Sequence, residues 1–136
     1  MTLKVFFGAA ALALLSSAGL AAPVVYDCNL SKGPTGSWIG DRAIFWVDDV
    51  AGTARVIDGV VNYVFGEPIE AKFEKRPGGS YLFSWKIEDA PGSRGEARVN
   101  FSAFLRPDNK RVTINAALPA YDNTSSGRGR CELIDQ

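Results

Sequence analysis

The chain has 136 residues, with 15 basic and 15 acidic side chains, two cysteines and no histidine. That length fits one domain, and a formal net charge of zero gives the chain as a whole no electrostatic footprint for nucleic acid or an anionic membrane. The missing histidine excludes Ser-His-Asp and Cys-His nucleophiles and removes the commonest transition-metal ligand.

Residues 1–21 have the three parts of a cleaved secretory signal: Lys4, an apolar run over residues 5–15, and small residues that include Gly19 and Ala21. The apolar run is shorter than the ~20 residues a membrane span needs. Cleavage after Ala21 leaves residues 22–136 as a single β domain with 14 basic and 15 acidic groups. Cys28 comes too late after the apolar run to carry a lipid anchor. The expected product is periplasmic or secreted, with no membrane insertion after cleavage.

In such a compartment two cysteines favour a disulfide over a metal site or a redox pair. A Cys28–Cys131 bond pins the first strand to the last. In the chain-entropy model, closing a loop of roughly 100 residues stabilises by about 4–5 kcal/mol.

Between the cysteines, short alternating runs separated by turn residues predict strands. Residues 38–47 hold a continuous apolar stretch from Ala43 to Val47, ended by a turn over 48–52, and residues 53–58 form its partner. Residues 59–66 fit a strand or a helical turn, and their β-branched content favours strand. From residue 69 the pattern is clearer. Ile69, Ala71 and Phe73 alternate with charges; a Pro77-Gly78-Gly79 turn follows; then Tyr81, Phe83, Trp85 and Ile87 share one face. After a turn over 90–95, the faces Ala97, Val99, Phe101, Ala103, Leu105 and Val112, Ile114, Ala116, Leu118 flank a second turn over 107–110.

Register is testable here, because a one-residue slip exposes a strand's apolar set. Pairing Trp85 with Phe101 aligns Ile87 with Val99 and Phe83 with Ala103. On the outer face it sets Glu88 against Arg98 and Leu82 against Phe104. Pairing Leu105 with Val112 continues the meander, and residues 127–134 make the closing strand. The expected fold is all-β: an antiparallel up-and-down meander of eight or nine strands, a barrel rather than a sandwich because closure removes exposed edges.

The chemistry is sparse. No Gly-x-Ser-x-Gly elbow is present, and residues 32–37 lack the Gly-Lys-Ser/Thr ending of a phosphate loop. Asp48, Asp49, Glu88, Asp89 and Asp122 fall at expected turns, where carboxylates serve solubility and turn chemistry. Neither a calcium loop nor any other metal or cofactor site is expected. Trp38, Phe45, Trp46, Tyr63, Phe65, Tyr81, Phe83, Trp85 and Phe101 either fill the core or line a hollow for a small apolar ligand. Leu82 with Phe104 starts an outer apolar patch. Arg128 and Arg130 lie on the closing strand opposite in face to Cys131, after a polar connection over 119–127 that carries Tyr121 and Asp122. Arg94 and Arg98 add surface charge. The candidate binding residues are therefore Tyr121, Asp122, Arg128, Arg130, Leu82 and Phe104, with no catalytic set.

Through Tyr26-Asp27-Cys28, Val56-Ile57-Asp58, Tyr121-Asp122-Asn123 and Gly129-Arg130-Cys131-Glu132, the chain resembles a family of small exported α-proteobacterial β-proteins with a terminal disulfide. The layout is also similar to the periplasmic inhibitors of c-type lysozyme, shorter β-barrels with a terminal disulfide. Both resemblances imply the architecture. The function expected from the sequence is a non-catalytic exported binding module for another exported protein or a small apolar molecule. An envelope-associated structural protein is the alternative, ahead of a carboxylate-dependent hydrolase.

Overall fold

The computed structural model describes residues 22–31, 37–92, 95–120 and 123–134. Eight strands and one short helix follow in the order β1 (Val24–Leu30), β2 (Arg42–Asp48), β3 (Thr53–Asp58), α1 (Gly59–Phe65), β4 (Ile69–Lys75), β5 (Tyr81–Gly92), β6 (Gly95–Arg106), β7 (Arg111–Leu118) and β8 (Asn123–Ile134). Each strand pairs antiparallel with the next and β8 returns to β1, so the sheet is a closed barrel. Closure leaves none of its strands with an unpaired edge.

Side-chain alternation explains the closure. Phe45, Val56, Phe83, Ile87, Val99, Leu105 and Ile114 point inward and are fully buried, while their neighbours along each strand face out. The registers of the β5–β6–β7 meander pair Trp85 with Phe101, Leu82 with Phe104 and Leu105 with Val112. The aromatics fill the interior: Phe45 stacks on Phe83 with ring centroids 4.5 Å apart, and Trp85 on Phe101 at 5.3 Å. Phe45 and Phe83 are 0 % accessible and Phe101 2 %, values that leave no room for a ligand against those rings. Apolar side chains inside and charges outside reverse the arrangement of a membrane-spanning barrel. No helix among the described residues is long and apolar enough to cross a membrane.

Cys28 stands directly opposite Cys131 and the two are bonded, across a sequence separation of 103 residues. The bond is compatible with an oxidising, exported compartment. The same seam needs a glycine: a Cβ on Gly129 would run into the backbone carbonyl of Asn29. One end of the barrel carries tight turns, including the one where Gly78 and Gly79 take φ values of 89° and 85°. The other carries α1 and the segment with Ile39, whose buried side chain lies over Gly127.

Four sequence expectations need correction. Residues 59–65 are helical, not a strand. The Asp58 side chain accepts the Val61 N–H at 2.8 Å as an N-cap, Gly66 in the left-handed region closes the last turn, and only Val61 is buried. The turn expected over 90–95 is shorter, because β5 runs to Gly92 and β6 starts at Gly95, with a register shift between Ile87 and Ala90. The connection expected over 119–127 shrinks for the same reason: Asn123 already pairs with Leu118 in β8. Finally, Trp46, Tyr63 and Phe65 are not interior. Trp46 faces outward under the Arg55 guanidinium at 5.6 Å, and the other two are exposed on α1.

Candidate functional site

The outer wall of β5 to β8 gathers four of the six candidate residues. Cross-strand pairing puts Leu82, Phe104, Thr113 and Arg128 in one row across β5 to β8. The next outward-facing row, toward the 107–110 turn, consists of Arg106, Arg111 and Arg130, each directly opposite the next. Strand spacing sets such neighbours about 5 Å apart. Phe104 is 39 % exposed beside them, a large apolar ring left half in water.

Alternation explains why these side chains point outward, since Leu105, Val112, Gly129 and Cys131 take the inner positions between them. The backbone beneath them is tied together. The Lys110 N–H donates to the Arg106 carbonyl at 2.7 Å, closing the turn between Arg106 and Arg111. The Lys110 carbonyl in turn accepts the N–H of Cys131, the disulfide residue beside Arg130, at 2.8 Å.

Like charges directly opposite one another on a sheet destabilise it, so a row of three guanidiniums opposes folding. None of the four ion pairs among the described residues involves Arg106, Arg111, Arg128 or Arg130. An open depression of about 460 Å³ lies among these four arginines, with Phe104, Thr113 and Ser31 on its border. A second, of about 530 Å³, shares Phe104 and Arg106 and extends to the Pro77–Ser80 turn and Asp108. The two depressions flank Phe104 and Arg106 on β6.

Arg106 and Arg111 were missed as candidates, although a signal for them was present. Pairing Leu105 with Val112 places Arg106 beside Arg111 by the same register. Tyr121 and Asp122 lie outside the described residues. Leu118 pairs with Asn123 at one end of the barrel and Arg111 with Arg130 toward the other, so the connection carrying Tyr121 and Asp122 starts far from the arginine row. Arg94 also lies outside the described residues, and Arg98 is held by Glu88 at 2.7 Å.

Of the carboxylates expected at turns, Asp48 and Asp49 are tied into local contacts. Asp48 accepts the Ala51 N–H within its turn, and Asp49 bonds Lys75 at 3.1 Å. Glu88 and Asp89 sit within β5 at its register shift, not in the turn expected for them. Asp122 lies outside the described residues. Among the described residues no group of three His, Cys, Asp or Glu side chains is placed to hold a metal ion. The titrations that do move are explained by the fold. Arg42 grips Asp27 through two hydrogen bonds and holds its carboxyl below the usual range. Burial pushes Asp58 up against the pull of its cap hydrogen bonds. Tyr26 is pushed up to about 12, mainly by burial and then by Tyr81.

The chain matches no family model, no curated protein and no solved structure.

Proposed function

We propose that the protein is a non-catalytic binding module of the periplasm or the external medium that recognises an anionic macromolecule through the outer wall of β6–β8. One observation carries this reading. Four arginines without an acidic partner among the described residues line a depression bordered by a half-exposed phenylalanine, and three of them stand opposite one another in an arrangement that costs the fold stability. The signal-like start and the disulfide support export, and the absence of histidine supports a non-catalytic role. The filled interior directs the reading to the wall, away from an apolar ligand held inside the barrel.

The test is retention on a sulfonated cation-exchange resin at neutral pH. With no net positive charge to drive adsorption, the protein is expected to be retained through this wall and released by moderate salt. Replacing Arg106, Arg111, Arg128 and Arg130 by Ser should send it through the column. Replacing Arg55, Lys72, Lys75 and Lys86, on β3 to β5, instead removes the same charge and should leave retention clearly stronger. Equal loss from the two quadruple variants would contradict a local binding wall.

A further inference from the structure

We infer that the ligand of this wall is an extended acidic polysaccharide, with Phe104 as the platform for a sugar ring and Arg106, Arg111 and Arg130 each engaging an anionic substituent. The inference rests on the reading of the wall as a binding surface and adds the chemistry of its partner.

Three features select a glycan chain. The first is linearity. The three arginines form a line over three adjacent strands, spanning about 10 Å at the usual strand spacing. A depression lies on each side of Phe104 and Arg106, at the end of that line. A polymer with one charge per sugar can follow such a line. The second feature is the apolar content. A protein interface of ordinary size buries about 800 Å² on each partner around a core of several anchors. This surface offers a single half-exposed aromatic ring, with Leu82 partly buried beside it. One ring suffices to stack the C–H face of a pyranose, and guanidinium forks grip carboxylate, sulfate or phosphate groups in bidentate fashion. The third is the closed backbone. With each strand of the barrel paired on both sides, an incoming peptide has no edge to extend, and recognition falls to side chains alone. The one carboxylate bordering the two depressions, Asp108, accepts the N–H of Asn109 with one of its oxygens.

The test is fluorescence anisotropy with the disulfide-bonded protein and four labelled probes at near-physiological salt. These are tetragalacturonate, a sulfated glucose tetramer, neutral maltotetraose and tetraglutamate. At least one acidic tetrasaccharide is expected to bind about tenfold or more tighter than both maltotetraose and tetraglutamate; whether uronate or sulfate wins assigns the substituent. Arg111→Ser should weaken that binding about tenfold. Phe104→Ser should weaken the acidic sugar and leave the weak glutamate signal unchanged. Arg55→Ser, on β3 opposite β7 in the closed barrel, should change neither.

Tetraglutamate binding as tightly as the acidic sugars would overturn the inference while leaving an anion-binding wall in place. So would a Phe104→Ser variant that keeps full sugar affinity. If no anionic probe binds, and retention on the sulfonated resin does not depend on these arginines, the inference and the binding wall fail together. An oligonucleotide of matched charge, run as a competitor, would overturn the glycan assignment if it displaced the sugar at a lower concentration.

Discussion

The barrel has two outer walls built on the same core, and they treat charge in opposite ways. Around β1 to β5 three basic groups form ion pairs, Arg42 with Asp27, Lys75 with Asp49 and Arg76 with Glu74, as does Arg98 on β6 with Glu88. Arg55 lies over Trp46, and Lys72 and Lys86 stand apart from one another on β4 and β5. Over the rest of β6, β7 and β8, Arg106, Arg111 and Arg130 face one another and Arg128 stands opposite Thr113. Alternation and pairing are equally regular on both sides, so the fold does not demand the difference. Exposed ion pairs add little to stability, but they neutralise a surface and make it inert toward charged partners. A row of opposed arginines lowers stability and leaves a local field unspent. A zero net charge conceals this contrast, because the sum averages the two walls.

The largest expected effect comes at the seam where the walls meet. Replacing Cys28 and Cys131 by Ser should cost about 4 kcal/mol in denaturant unfolding, since the bond closes a span of 103 residues. Unchanged stability would show that strand pairing alone holds β8 against β1. Gly129→Ala probes the same seam with the bond intact. Its Cβ meets the Asn29 carbonyl, and the forced separation should cost about 2 kcal/mol; a neutral result would mean that β8 can shift freely.

A smaller effect distinguishes the walls. Arg111→Thr removes the middle of the arginine row and should stabilise by about 0.5 kcal/mol in low salt, whereas Arg42→Thr leaves Asp27 without its partner and should destabilise. Opposite signs in the two melting temperatures sharpen the contrast, and equal signs would dissolve it.

The smallest effect lies under α1, away from either wall. Burial raises the Asp58 carboxyl, so in the native state it holds a proton at a pH where the unfolded chain has released it. Stability from this group is therefore full below the ordinary aspartate range and falls as pH rises through its raised value. Asp58→Asn keeps a capping oxygen without the charge. Its stability relative to wild type should rise from about pH 3 to neutrality; a flat difference in urea midpoints would contradict the assignment.

Much of this was legible in the residues. Inward faces such as Tyr81–Phe83–Trp85–Ile87 have no tolerance for a register slip, so the β5–β7 meander and its closure by Cys28 and Cys131 followed from pattern and chemistry. Helix α1 did not, because Val60, Val61 and Val64 suit a strand locally. The decision falls to the Asp58 cap and to the space that buries Val61. The early start of β8 was hidden for a similar reason: Thr124, Ser125 and Ser126 read as loop, yet pair with Ala117, Ala116 and Asn115. The candidate site was half visible. Leu82, Phe104, Arg128 and Arg130 were found on their own strands, but Arg106 and Arg111 gain meaning only when register sets them side by side. Tyr121 and Asp122 lie outside the described residues.

The most direct measurement is the urea unfolding midpoint of the Arg106→Ser, Arg111→Ser, Arg130→Ser triple variant against wild type, in low and in high salt. If the row is kept for binding at the expense of the fold, the variant unfolds at higher urea in low salt, and the gap closes as salt screens the repulsion. A variant that unfolds at lower urea at both salt concentrations would mean that these arginines support the barrel, and the case for a binding wall would fall.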